Sequence, residues 1–146
     1  SKEELLKYFI QEEILNMEKI VEKIEAKNLE FFESVNQGLY EILEYRKNQN
    51  FLNIITKEAE WLKNPIIIDS LKIIDEKIQN YIKSKLVRAK EKGYIDYQDL
   101  DITTFLIYKM YIALVIEWGS KDKNIDRQVL AKTVSEVLRK GLRKEE

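Results

Sequence analysis

Apolar residues recur every three or four positions along most of the chain, and this spacing predicts amphipathic helices. The first helix opens with the pattern of a capping box, because Ser1 can accept from the amide of Glu4 while the Glu4 side chain reaches back. A single apolar stripe follows this box. Its members are Leu6, Ile10, Ile14, Met17, Val21 and Ile24.

Two breaks divide the next part of the chain. Asn28 can end the first helix or cap the second, whose apolar positions continue to about residue 48. The Asn-Gln-Asn run at 48–50 predicts a turn. A shorter third helix is expected over 51–62, where apolar residues again follow helical spacing.

Three further helices are predicted in the second half. Asn64 and Pro65 suit the cap and the first position of a fourth helix, and Gly93 suits the left-handed position that closes it. Asp99 or Asp101 can cap a fifth helix. The sixth helix follows from residue 125 onward. No segment predicts a strand convincingly, so residues 1–146 are interpreted as one all-α domain of six helices.

Gly38 lies inside the predicted second helix, where glycine costs about 1 kcal/mol relative to alanine. Two explanations stay open. Close packing against another helix, or a slight kink, would make the missing side chain useful. The alternative is that the missing side chain leaves room for a ligand.

The composition removes most classes of catalysis. The 146 residues include no cysteine and no histidine, which excludes thiolate nucleophiles, Ser-His pairs and the usual zinc sites. Carboxylate pairs such as Glu18 and Glu22 fall on a polar helix face, which is interpreted as solvated. We therefore expect no enzyme, no cofactor and no metal.

Charge and hydropathy set expectations for location and partners. Lysine and arginine total 25 and aspartate and glutamate 26, a net charge of -1, so the chain alone is expected not to bind nucleic acid or an anionic membrane. The first apolar stretch carries charges that a signal peptide would lack. A cytoplasmic protein is the expectation.

The fifth predicted helix is apolar on all sides between residues 102 and 116, apart from Lys109. Such a helix must be covered on every face, and a second copy of the chain is the natural cover. The last helix also has a broad apolar face. The predicted dimer interface consists of Phe105, Ile112, Ala113, Ile116, Leu130, Val134, Val137 and Leu138.

Aromatic residues on the apolar stripes predict a ligand pocket, because a cavity with aromatic walls and a few hydroxyls is typical of a small-molecule site. Each of these residues could equally pack in a solid core. Lys109 either extends to solvent or meets an acidic group of the ligand. The candidate ligand-binding residues are Phe32, Leu39, Tyr40, Trp61, Tyr81, Tyr108, Lys109 and Tyr111.

Three segments, in this order, resemble the TetR family of transcriptional regulators. The opening at 1–6 (SKEELL) resembles the start of the family's fourth helix, directly after its helix-turn-helix domain. Residues 92–95 (KGYI) and 99–101 (DLD) resemble the loop before its penultimate helix. Asp126-Arg127 with Leu130, and 138–143 (LRKGLR), resemble its last helix.

The resemblance implies the six-helix C-terminal regulatory domain of a repressor, without its DNA-binding domain. It implies a homodimer through a four-helix bundle, a small and mostly apolar effector, and contact with operator DNA through a preceding helix-turn-helix domain. The alternative is a helical protein-interaction or structural module that binds no ligand. A solid interior would favour that alternative.

Overall fold

A computed structural model describes residues 1–47, 63–114 and 126–144. These residues form five α-helices and no strand, which confirms the all-α class for this part of the chain. The helix predicted over 51–62 lies outside the described residues, so the number six stays a prediction. The five helices are α1 (Lys2–Ala26), α2 (Phe31–Lys47), α3 (Pro65–Glu91), α4 (Leu100–Ile112) and α5 (Arg127–Leu142).

Local signals in the sequence fix where the helices begin. The Glu4 amide donates to Ser1 Oγ at 3.2 Å, and the Glu4 side chain returns to the Ser1 backbone, which completes the predicted capping box. The Asp99 carboxylate accepts from the Ile102 amide at 2.8 Å and caps α4. Helix α3 begins at Pro65, as predicted.

Left-handed residues end two of the helices. Asn28, with φ 52°, follows the last turn of α1 and therefore ends this helix. Gly93, with φ 77°, closes α3. The Gly93 amide donates to the Lys90 carbonyl and the Tyr94 amide to the Ala89 carbonyl, the two hydrogen bonds of a Schellman motif.

Within the described ranges, three clusters of buried side chains hold the helices together. The largest joins α2, α3 and α5 through Phe31, Phe32, Leu86 and Leu138. A second cluster packs the first half of α1 against the first half of α3, and a third packs α2 against α5. Helix α1 also contacts α2, and α3 contacts α4 along much of its length.

Hydrogen bonds fasten α5 to distant parts of the chain. The buried Ser135 hydroxyl donates to the Phe32 carbonyl at 2.9 Å. At the C-terminal end of α5, the Asp96 amide donates to the Leu142 carbonyl at 2.8 Å. This bond ties the loop after α3 to the last turn of α5.

Helix α4 is the most apolar of the five, but it has only 13 residues. None of the helices within the described ranges is long and apolar enough to cross a membrane.

Candidate functional site

The three clusters formed by the described residues are separate from one another. Between α1, α2, α3 and α4 they leave a partly open cavity of about 690 Å³, which α5 reaches at its edge. Folded interiors leave few voids larger than a water molecule, so a space of this size is a distinct feature of the fold.

Most of the cavity wall is apolar, and all five helices contribute to it. Helix α1 supplies Ile14, Met17 and Val21, so its inward stripe faces the cavity at the middle of the helix. The remaining apolar lining residues are Phe31, Val35, Leu39, Ile42, Leu71, Ile74, Ile78, Ile82, Leu86, Ile107, Met110, Ile112, Leu114, Val134 and Leu138.

Gly38 lies on α2 and lines the cavity. Among the described residues, a Cβ atom built at this position meets no heavy atom within 4 Å outside its local helix. No described neighbouring helix therefore requires a glycine here through close packing. The glycine instead leaves open space at the cavity wall.

Buried polar groups interrupt the apolar wall on α1. Glu13 is 5% exposed and lines the cavity. Its Oε2 atom accepts from the Tyr45 hydroxyl at 2.8 Å, and the Asn16 amide donates to the same hydroxyl oxygen at 3.1 Å. This network connects α1 to α2 beside the cavity.

A second polar group lies where α3 faces α4. The half-buried Asp75 lines the cavity, and its Oδ2 atom accepts from Gln79 Nε2 at 2.9 Å. Burial of the Tyr108 hydroxyl, and after it the influence of the Asp75 carboxylate, raises the pKa of Tyr108 far above the ordinary range.

A third polar group joins α1 to the middle of α3. Lys85 Nζ and the Tyr81 hydroxyl both donate to Glu25 Oε1, at 2.8 and 2.9 Å. Partial burial opposes ionisation of Glu25, but these two hydrogen bonds and the charges of Lys85 and Arg88 outweigh it and lower its pKa. Burial and the same carboxylate raise the pKa of Tyr81 well above its ordinary value.

The cavity brings together some of the predicted ligand-binding residues. Leu39, Tyr81, Tyr108 and Tyr111 line it. Trp61 lies outside the described residues.

The other predicted ligand-binding residues face elsewhere. Phe32 is buried in the largest cluster, where it packs edge-on against Phe31. Tyr40 packs on the cluster between α2 and α5. Lys109 is exposed, with Nζ 5.5 Å from the centre of the Phe105 ring, so it does not line the cavity that it was expected to serve.

The lining residues on α1 and on the first half of α3 are absent from the predicted set. That prediction was based on aromatic residues, whereas Met17, Leu71 and Ile74 are aliphatic. Their signal was present in the inward apolar stripes of both helices. Glu18 and Glu22 are exposed, as expected for a solvated face, and they also stand at the rim of the cavity.

The residues predicted for a dimer interface divide into two groups. Phe105 is exposed on α4, Ala113 is exposed just beyond the end of α4, and Val137 is exposed on α5. Three more are half-buried, and Leu138 is buried in the chain's own core because α5 packs it against α2. The three half-buried residues are Ile112, Leu130 and Val134, and Ile116 lies outside the described residues.

The site supplies an apolar binding surface with a few polar groups. In the described ranges, no three acidic residues are grouped in a way that could hold a metal ion. The arrangement offers an apolar volume with a few fixed hydrogen-bonding groups, which is the character of a small-molecule pocket.

Comparison with known proteins gives one significant similarity. The chain is 28% identical over 142 residues to the uncharacterized HTH-type transcriptional regulator YhgD of Bacillus subtilis (strain 168), a match that covers 97% of this chain and 74% of that protein. No protein-family model matches the chain, and no solved structure does. The similarity supports a role in transcriptional regulation in general terms.

Proposed function

We propose that this chain is the effector-binding and dimerisation region of a TetR-like transcriptional regulator, a repressor released from DNA by a small and mostly apolar molecule. The observation that carries the proposal is the cavity of about 690 Å³ between four helices. Pockets for small molecules have volumes of about 300–1,000 Å³ and mainly apolar walls. A solid helical module would have no use for such a space.

The similarity to an HTH-type regulator supports the regulatory part of the proposal. Operator DNA would be bound by a helix-turn-helix unit that corresponds to the part of that relative which this chain does not match. The 146-residue chain itself has a net charge of -1 and is proposed to bind neither DNA nor a cofactor, and to catalyse no reaction.

The position of the cavity explains how an effector could act. Its walls come mainly from α1, α2, α3 and α4, with two residues of α5, so a ligand would contact several helices at once. A ligand shifts an equilibrium only by its difference in affinity for the two states. Here the state that holds these helices around the ligand would be the one that does not bind DNA.

Exposed apolar side chains support the dimerisation part. On α4, Ile102 is 60% exposed, Phe105 50% and Leu106 57%, and on α5 Val129 is 61% and Val137 53% exposed. A contiguous apolar patch marks an interaction site, and obligate dimers bury roughly 2,000 Å² or more. We propose that these side chains form such a patch. A second copy of the chain would cover both helices.

Binding of a neutral dye tests the cavity. The fluorescence of N-phenyl-1-naphthylamine rises in apolar surroundings, so titration with the 146-residue chain gives a dissociation constant. Met17→Trp places a large ring where α1 lines the cavity, and we expect it to weaken binding at least about tenfold, or about 1.4 kcal/mol. Leu15→Trp, at a position on the same helix that is 49% exposed, is the matched control.

Equal affinity in wild type and Met17→Trp would show that the dye does not occupy this cavity. Absence of dye binding in the folded wild type would favour the structural module instead.

A further inference from the structure

The charges on the cavity wall are unequal. Among the described residues that line it, four are acidic and two are basic. The two ammonium groups are already engaged by carboxylates, because Lys77 Nζ lies 3.2 Å from Glu18 Oε1 and Lys85 Nζ lies 2.8 Å from Glu25 Oε1. The positive charge of each lysine is therefore already balanced by a neighbouring carboxylate.

Asp75 is the acidic group best placed to meet a ligand. It is half-buried on α3, and the hydrogen bond that it accepts from Gln79 comes from a neutral donor. Such a bond fixes the carboxylate in position and leaves its negative charge in place. An ionised carboxylate can accept about four hydrogen bonds, so a ligand can add to those already made.

The surroundings of Asp75 suit an apolar body that carries a positive charge. Ile74 precedes Asp75 in the sequence and Ile78 follows it one helical turn later, and both isoleucines line the cavity. Tyr108 and Tyr111 also line the cavity, and tyrosine rings attract organic cations within about 6 Å of the ring centre. Lys109, the one basic residue of α4, does not line the cavity.

We infer that the cavity selects lipophilic cations, which are molecules with an apolar body and one positive charge held against Asp75. The inference rests on the proposed function, because it names the ligand class of the same cavity. A fatty acid or another lipophilic anion would bring its charge towards Asp75 and Glu13, and like charges at short range repel.

Two ions of nearly the same size and shape test the inference. Tetraphenylphosphonium is a cation and tetraphenylborate an anion, and both carry four phenyl groups. Isothermal titration calorimetry with the 146-residue chain gives the two dissociation constants. We expect the cation to bind at least about tenfold more tightly, because a partly buried carboxylate attracts one ion and repels the other.

Asp75→Asn keeps the shape of the side chain and removes its charge. This variant should lose about tenfold in affinity for the cation and should bind the anion no more weakly than wild type does. Glu76→Gln is the matched control, because Glu76 is the next residue of α3, is exposed and does not line the cavity. Tyr108→Phe, which removes a neutral hydroxyl, should keep the preference for the cation.

The outcomes separate this inference from the proposed function. Equal or tighter binding of tetraphenylborate by wild type overturns the inference, whether or not Asp75→Asn folds. Equal losses in Asp75→Asn and Glu76→Gln overturn the role of Asp75. If neither ion binds while the neutral dye does, the ligand class is wrong and the ligand-binding function stands. If dye and ions all fail to bind, the proposed function fails as well.

Discussion

Substitution of Gly38 tests whether the open space beside α2 serves a ligand. In the part of the chain that the structure describes, no heavy atom outside the local helix lies within 4 Å of an added Cβ, and Gly38 does not have a positive φ. Gly38→Ala should therefore introduce no clash. It should instead recover the helix propensity that glycine forfeits, about 1 kcal/mol.

This free energy corresponds to a measurable rise in melting temperature. Unfolding entropy scales with length at about 2.1 cal/mol/K per residue, so for a chain of 146 residues a gain of 1 kcal/mol raises Tm by about 3 °C. Gly38→Phe adds a ring that must occupy part of the cavity. It should weaken binding of N-phenyl-1-naphthylamine at least about tenfold, whereas Gly38→Ala should change it little.

Gly141→Ala is the matched control for both measurements. Gly141 lies in the last turn of α5, is exposed, does not line the cavity, and also has no heavy atom near an added Cβ. It should raise Tm by less, because the last turn of a helix is already loosened, and it should leave dye affinity unchanged. A fall in Tm for Gly38→Ala, or full dye affinity in Gly38→Phe, would refute the reasoning.

Two further predictions concern an ion pair and the outer surface. The pKa of Glu25 is lowered from its ordinary value of 4.5, so the stability that depends on this shift is present above pH 4.5 and is lost as pH falls through the lowered value. Lys85→Met should therefore lower the urea midpoint more at pH 7 than at pH 3, and an equal effect at both pH values would contradict the assignment. Phe105→Glu should convert a dimer into a monomer in sedimentation velocity, while Ile73→Glu, at a position on α3 that is equally 50% exposed, should not. A wild-type chain that is monomeric at micromolar concentration would contradict this prediction.

The helix ends could be predicted from sequence because their causes are local. The capping box at Ser1, the cap at Asp99 and the left-handed Gly93 each depend on residues within one or two turns. The apolar stripes identified α1, α2, α3 and α5 for the same reason. Neither the capping residues nor the apolar stripes indicate which helices pack against each other. The packing of α2 against α5 could therefore not be predicted from them.

The site was predictable only in part, because a cavity results from how several helices meet. Leu39 and Tyr40 are adjacent on α2, yet only Leu39 lines the cavity. Adjacent residues differ by about 100° in direction on a helix, and a broad apolar stripe does not decide between them. Asp75 could not be foreseen, since polar positions on amphipathic helices are usually solvated and only tertiary packing turned this one inward.

The hydrogen bond from Ser135 to Phe32 has a consequence for the order in which the chain folds. It joins residues 103 positions apart, whereas the ion pair of Lys83 and Asp101 between α3 and α4 spans 18. Loop-closure entropy makes the longer contact about 1.5 kcal/mol harder to close. The ribosome synthesises α2 before α5. The apolar face of α2 that packs against α5 therefore stays uncovered until α5 has been made. Folding of this helical chain should be slower than its local contacts suggest, with the α2–α5 pairing as the late step.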